Sequence, residues 1–116
     1  MIEPPAVIAR VTKALRAVER LRDREVTVVD LAREAGLSPY HFLRTFQRLT
    51  GITPHQYVRR LRLRDAASSL IASSRKIVDI ALDSGFGDVS NFNRAFKAEF
   101  GVSPRAFRLK SNRRQV

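Results

Sequence analysis

An internal repeat constrains this chain more than any other feature of its sequence. The segment Val28–Ala32 corresponds to Ile77–Ala81, and Gly36 corresponds to Gly85, each 49 residues further along. Seven later residues recur 50 positions on: Phe42, Arg44, Phe46, Gly51, Ile52, Pro54 and Tyr57 match Phe92, Arg94, Phe96, Gly101, Val102, Pro104 and Phe107. The second copy therefore carries one extra residue between Gly85 and Phe92. A repeat of this length predicts one supersecondary unit that is built twice.

Helix signals punctuate both copies. Four residues are predicted N-caps, and the last three of them precede a proline suited to the first helical position: Thr27, Ser38, Thr53 and Ser103. Thr53 and Gln56 also fit a capping box. Four glycines stand where helices are expected to end in a left-handed residue: Gly36, Gly51, Gly85 and Gly101. The pattern predicts an all-α fold with seven helices, over 5–22, 28–35, 39–49, 54–73, 77–84, 89–100 and 104–109.

These helices group into two helix-turn-helix units joined by a long helix. We expect an N-terminal helix and the first unit over 1–52, a linker helix over 53–73, the second unit over 74–109 and a basic tail over 110–116. A linker helix of about 20 residues is about 30 Å long. Successive major grooves of duplex DNA lie about 34 Å apart. The length therefore predicts that the second helices of the two units enter successive major grooves.

The second helix of each unit has one apolar and one polar face. In 39–49 the predicted buried stripe is Phe42, Phe46 and Leu49, and in 89–100 it is Val89, Phe92, Phe96 and Phe100. The opposite faces carry Tyr40, His41, Leu43, Arg44, Gln47 and Arg48 in the first unit, and Ser90, Asn91, Asn93, Arg94 and Lys97 in the second. An ordinary solvated helix face is the alternative. A basic, acid-free face that recurs in both copies favours contact with DNA.

Composition supports a polyanionic partner and argues against other classes of function. Lys and Arg number 22 against 11 Asp and Glu, a net charge of +11, and neutralising phosphates releases counterions. There is no cysteine, and His41 and His55 are the only histidines, so we expect no enzyme activity, no metal and no cofactor. No apolar run approaches the roughly 20 residues needed to span a bilayer, and no signal-peptide pattern is present. We therefore expect a cytoplasmic, nucleoid-associated protein with no membrane contact. A nonspecific architectural or RNA-binding protein is the alternative, although a helix cannot enter the deep major groove of RNA.

The sequence resembles the DNA-binding domain of AraC family bacterial transcription regulators. The residues that carry the resemblance include Leu31-Ala32, Gly36-Leu37-Ser38, Ile80-Ala81, Gly85-Phe86, Arg94-Ala95-Phe96-Lys97 and Ser103-Pro104. The resemblance implies a transcription regulator, typically an activator, that binds asymmetric duplex sites and contacts RNA polymerase. It also implies base contacts from Tyr40, Leu43 and Arg44 in the first unit, and from Val89, Ser90, Asn93 and Arg94 in the second. Leu43 and Val89 depart from the family pattern because they are apolar. Each therefore either contacts a thymine methyl group or makes no base contact.

Some roles stay open at this stage. Six residues are candidates for phosphate contacts: Ser38, His41, Arg48, Asn91, Lys97 and Arg105. Arg62 fits a buried structural arginine and a phosphate ligand equally well. The oligomeric state is undetermined, although a monomer fits this domain alone. The chain is either a stand-alone regulator or the DNA-binding part of a longer protein.

Overall fold

The computed structural model describes residues 3–21 and 24–114, the last two of these by backbone alone. All regular secondary structure in the described residues is α-helical. The helices are α1 Pro5–Arg20, α2 Val28–Ala35, α3 Pro39–Thr50, α4 Pro54–Ala72, α5 Ile77–Asp83, α6 Val89–Phe100 and α7 Pro104–Arg114. The predicted all-α fold is confirmed, although the predicted end of the first helix, Arg22, lies outside the described residues. No helix in this part of the chain is long and apolar enough to cross a membrane.

Two compact units divide the chain. The first consists of the described residues of Met1–Leu21 and Glu25–Arg59, and the second of those of Arg22–Arg24 and Arg60–Val116. The change from one unit to the other thus falls between Arg59 and Arg60, inside α4. The predicted subdivision has its boundaries at residues 52, 73 and 109 instead. It assigns residues 53–73, and with them the whole of α4, to a linker that belongs to neither unit.

The first unit is held together by α1, α2 and α3, which pack in that order. Side-chain caps fix where the helices begin, because they satisfy N–H groups that have no partner within the helix. Thr27 and Asp30 form a reciprocal capping box at the start of α2, a pair that the sequence analysis did not single out. The interior contains one polar residue, Thr45, and the apolar residues Val11, Ala14, Ala17, Val18, Val26, Leu31, Ala32, Ala35, Phe42, Phe46 and Val58.

In the second unit α5 and α6 correspond to α2 and α3, α7 corresponds to the start of α4, and α6 packs against both α5 and α7. Its core comprises Leu63, Ala66, Ala67, Leu70, Ile80, Ala81, Phe92 and Phe96. Arg108 secures the end of α4 against α7, because its Nε donates to the Leu70 carbonyl at 3.0 Å and its Nη2 donates to the Ser73 carbonyl at 3.3 Å. These bonds satisfy carbonyl groups that a helix C-terminus otherwise leaves to water.

One aromatic pair has nearly the same geometry in the two units. The ring centroids of Phe46 and Tyr57 lie 5.5 Å apart at an interplanar angle of 73°. The corresponding pair, Phe96 and Phe107, lies 5.4 Å apart at 76°. Edge-to-face packing of this kind is favoured by the quadrupoles of the rings. The repeat in the sequence is therefore also a repeat in the packing.

Two predictions about the last turns of helices are wrong. Leu49 and Phe100 were placed in the buried stripes, but they are 40% and 36% exposed. Each lies in the final turn of its helix, where the helix extends beyond the core that fully covers Phe46 and Phe96. Thr45, which is 1% exposed, takes the buried place on α3 instead of Leu49.

The last helix is longer than the sequence analysis predicts. The predicted helix end at residue 109 is wrong, because α7 continues to Arg114. No glycine or proline after Pro104 stops the helix, and Ser111 Oγ donates to the Phe107 carbonyl at 3.0 Å. Residues 115 and 116 of the predicted tail lie outside the described residues.

Candidate nucleic-acid interface

The orientation of α3 is set by its cap and by its buried phenylalanines. Ser38 Oγ accepts a hydrogen bond from the His41 backbone N–H at 3.1 Å, which fixes the first turn. Phe42 and Phe46 are fully buried on the inner face. Since 3.6 residues make one turn, this anchoring directs a different set of side chains to solvent. The exposed set is Tyr40, His41, Arg44, Gln47 and Arg48.

Tyr40 and Arg44 form a pair on this exposed face. Arg44 Nη1 donates to Tyr40 Oη at 3.1 Å, and the guanidinium carbon lies 5.4 Å from the centre of the tyrosine ring. Tyr40 is nevertheless 67% exposed. Leu43, the third base-contact candidate of α3, is half-buried beside them. The first turns of α3 thus bring all three candidates onto one accessible patch.

Arg48 lies on the same helix but is already paired within the protein. Its Nη1 lies 3.4 Å from Oε1 of Glu3, in the segment that precedes α1. The Arg48 side chain is 52% exposed, whereas that of Glu3 is 13% exposed. The pair ties Arg48 to the segment before α1, and breaking it would leave the largely buried Glu3 carboxylate without this partner.

The start of α6 depends on a residue that the sequence analysis did not assign as a cap. Asp88 Oδ1 accepts from the backbone N–H of Asn91 at 2.8 Å. Asp88 stands 50 residues after Ser38, and it caps the start of α6 as Ser38 caps the start of α3. The extra residue of the second copy lengthens the turn before it, from Gly85 to Asp88. An aspartate placed three residues before Asn91, just before an apolar stripe, was the available signal.

The outer face of α6 carries a chain of hydrogen bonds. Arg94 Nη2 donates to Asn91 Oδ1, and Asn91 Nδ2 donates to Asp88 Oδ2 at 3.2 Å. Ser90, Asn93 and Lys97 are exposed on the same helix. These side chains are basic or neutral and polar, whereas the capping aspartate at the helix start is acidic. The face offers the donors and acceptors that base edges and phosphates require.

The remaining candidates differ in accessibility. Val89 is half-buried and packs against the core of the second unit. Arg105 is exposed in the first turn of α7, where Ser103 Oγ accepts from the Ala106 N–H at 3.1 Å. Arg62 is 7% exposed, so its role is structural and the phosphate alternative is wrong. Contacts between DNA and any of these residues remain predictions.

Metal-site geometry is lacking in the described part of the chain. No group of three or more His, Cys, Asp or Glu side chains there could hold a metal ion. His41 and His55 are both exposed, on α3 and α4. The candidate interface comprises two basic helix faces, one on α3 and one on α6, and each helix is anchored by a buried phenylalanine pair.

A helix-turn-helix protein is defined by two helices that are joined through a tight turn, here one with a glycine, and by a second helix whose outer face is exposed and basic. A family model described as a helix-turn-helix domain matches residues 31–110. The transcriptional activator AarP of Providencia stuartii is 30% identical over 85% of this chain and 73% of its own length. The chain spans only about a third of several longer relatives.

Solved structures of DNA-binding domains have the same fold. An AraC-type transcriptional regulator from Chromobacterium violaceum is 28% identical with a TM-score of 0.83, over 90% of this chain and 93% of that one. The DNA-binding domain of AdpA, solved in complex with a target DNA, is 27% identical with a TM-score of 0.84, over 90% and 95% of the two chains. This chain belongs to the AraC family of transcription regulators, and it is a sequence-specific DNA-binding protein.

Proposed function

We propose that this protein regulates transcription by placing α3 and α6 in major grooves of one duplex, where their outer faces contact base edges. The observation that carries the proposal is the pair of anchored helices, each 12 residues long. Each has a capped start, a buried phenylalanine pair on one face and exposed basic residues on the other. A major groove about 12 Å wide admits a helix of this kind.

In α6, Arg94, Asn93 and Ser90 are the proposed base contacts. All three are exposed, and their residue types suit this role because arginine binds guanine and asparagine binds adenine through paired hydrogen bonds. Val89 is a poorer candidate, since it packs against the core. Its remaining exposed surface suits contact with a thymine methyl group at most.

In α3, Arg44 and Tyr40 are the proposed base contacts. The cation–π contact and the hydrogen bond between them hold the guanidinium at the exposed end of the patch. Arginine retains donors beyond the one that Tyr40 accepts, so a guanine edge can still be bound. Leu43 is half-buried next to this pair and offers apolar contact only.

The phosphate contacts are proposed from the exposed residues around these patches. They are Ser38, His41, Arg48, Lys97 and Arg105, whereas Asn91 is not proposed as one. Lys97 and Arg105 have the most direct claim, because they are exposed and basic. Arg48 must first leave Glu3, and the side chain of Asn91 is engaged within its own helix.

We further propose that binding activates transcription and that the protein contacts RNA polymerase. The name of AarP, a transcriptional activator, supports the first part. We also propose that it acts at chromosomal DNA in the cytoplasm, at the nucleoid. We propose no catalytic activity and no resident cofactor. Sedimentation of the free and DNA-bound chain measures the oligomeric state.

Selection of bound sites from random duplex DNA tests the proposed interface. We expect one enriched motif, and we expect R44A and R94A each to remove the preference at a different base pair, at a cost of about 1–3 kcal/mol. R16A, at an exposed arginine of α1, is the matched control for the loss of one positive charge. Variants R44A and R94A that bind the wild-type motif with wild-type affinity and preference would exclude these arginines from base contact. Equal competition by double-stranded RNA would contradict the major-groove proposal.

A further inference from the structure

We infer that Asn91 is a positioning residue for Arg94 rather than a phosphate ligand, and that it thereby determines sequence specificity at one base pair. The inference rests on the proposed base contact of Arg94. The observation behind it is the hydrogen-bond chain from the capping aspartate through Asn91 to the guanidinium.

Both polar ends of the Asn91 side chain are engaged within the protein. Its Nδ2 donates to Asp88 Oδ2 at 3.2 Å, and its Oδ1 accepts from Arg94 Nη2. The backbone N–H of the same residue donates to Asp88 Oδ1 at 2.8 Å. An amide that makes these bonds has a fixed orientation. It presents an acceptor to Arg94, and an acceptor repels a phosphate oxygen.

The guanidinium keeps its capacity to bind a base. Arginine has five N–H donors arranged as a planar fork. Asn91 accepts one of them, and a bidentate contact with guanine O6 and N7 needs only two. Holding the fork before DNA arrives reduces the entropy that is lost on binding, because a long side chain otherwise becomes ordered in the complex.

The first unit holds its corresponding arginine differently. Arg44, 50 residues before Arg94, bonds to Tyr40 one turn earlier on α3. The residue that corresponds to Asn91 is His41, whose exposed side chain lies beside a serine cap. A serine cap has a single oxygen, whereas Asp88 has two and uses one for the backbone and one for the Asn91 side chain. The positioning chain is thus tied to the aspartate cap of α6.

A double-mutant cycle on DNA binding tests the inference. We measure the affinities of wild type, N91A, R94A and N91A/R94A for the selected motif and for the same duplex changed at the base pair that Arg94 prefers. We expect N91A to weaken binding to the selected motif by about 3- to 10-fold. The same substitution should have little effect on the altered duplex or in the R94A background. N112A, at an exposed asparagine of α7, is the matched control and should bind as wild type.

A second variant separates positioning from helix capping. In D88N the amide oxygen still accepts from the Asn91 N–H, but the second carboxylate oxygen is lost. We expect D88N to keep the thermal stability of the wild type and to lose part of the discrimination that N91A loses. The NMR order parameter of Arg94 Nε in the free protein should fall in N91A.

The outcomes distinguish this inference from the function on which it rests. If R94A changes no base preference, the proposed role of Arg94 fails. If R94A removes a preference while N91A weakens binding equally on both duplexes, Asn91 is a phosphate ligand and the inference is overturned. A wild-type affinity and preference in N91A overturns it as well.

Discussion

Replacing Gly85 by alanine should destabilise the second unit much more than the corresponding change destabilises the first. Gly85 has a φ of +84°, and Gly36, its counterpart in the first copy, has a φ of +68°. A Cβ atom at Gly85 would overlap Nη1 of Arg62, with Cζ at 2.8 Å and the Arg24 carbonyl oxygen at 3.2 Å. A Cβ at Gly36 would have no such atom within 4 Å. The two glycines therefore share a backbone conformation and differ in the space around it.

The expected magnitudes follow from that difference. Alanine in the left-handed region costs about 1–2 kcal/mol, which is the whole expected loss for G36A. At Gly85 the buried guanidinium of Arg62, 7% exposed, must also move, and crowding in a packed interior adds about 1–3 kcal/mol. We therefore expect G85A to lower the free energy of unfolding by about 2–5 kcal/mol.

Urea unfolding followed by circular dichroism measures both variants. The cause is isolated by R62M, which removes the guanidinium but keeps most of the stem. In the R62M background, G85A should cost much less than in the wild type, because only the approach to the Arg24 carbonyl oxygen at 3.2 Å then adds to the cost of the positive φ. Equal losses for G36A and G85A in the wild-type chain would refute the crowding argument, and no loss for either would refute the role of positive φ.

Three further changes test other contacts. R108A removes two hydrogen bonds to the carbonyls that end α4 and should cost about 1–3 kcal/mol in urea unfolding, while R108K, which keeps a charge and fewer donors, should cost less; equal stability of R108A and wild type would contradict this role. T27A removes the cap of α2 and should cost about 1 kcal/mol, whereas T12A, at an exposed threonine of α1, serves as the control. The logarithm of DNA affinity should fall linearly with the logarithm of salt concentration, and K97A should reduce that slope by about 1; an unchanged slope would exclude a phosphate contact at Lys97.

The fold could be predicted from this sequence because its signals are local and occur twice. Ser38 and Ser103 precede prolines, and the structure confirms a cap at each. Gly51 and Gly101 end their helices at φ of 79° and 80°. Such signals depend on residues within one turn of each other, which is the range over which sequence patterns are informative.

Contacts between distant residues could not be predicted in the same way. Arg108 bonds to carbonyls 38 and 35 residues earlier, and no local pattern distinguishes it from a solvated arginine. The same holds for Arg62, where burial alone decided between two equal hypotheses. On the candidate interface, the helical period placed the outward residues correctly except for the half-buried Leu43, but it carried no information on which partner each polar group takes. Asn91 illustrates this, because its two bonds depend on side-chain rotamers and on the aspartate before it.

The divergence between the two outer faces predicts that the two halves of the DNA site differ in sequence. The edge-to-face aromatic pair behind α3 has nearly the same centroid distance as the pair behind α6, 5.5 Å and 5.4 Å. The outward residues do not match, since Tyr40 corresponds to Ser90 and Leu43 to Asn93. Only the arginine pair, Arg44 and Arg94, is retained. A shared scaffold with different contact groups presents different hydrogen-bond patterns to each groove. Selected sites should therefore contain two unlike half-motifs that share at most the arginine-contacted guanine, and two identical half-motifs would show that the retained arginines alone determine the sequence preference.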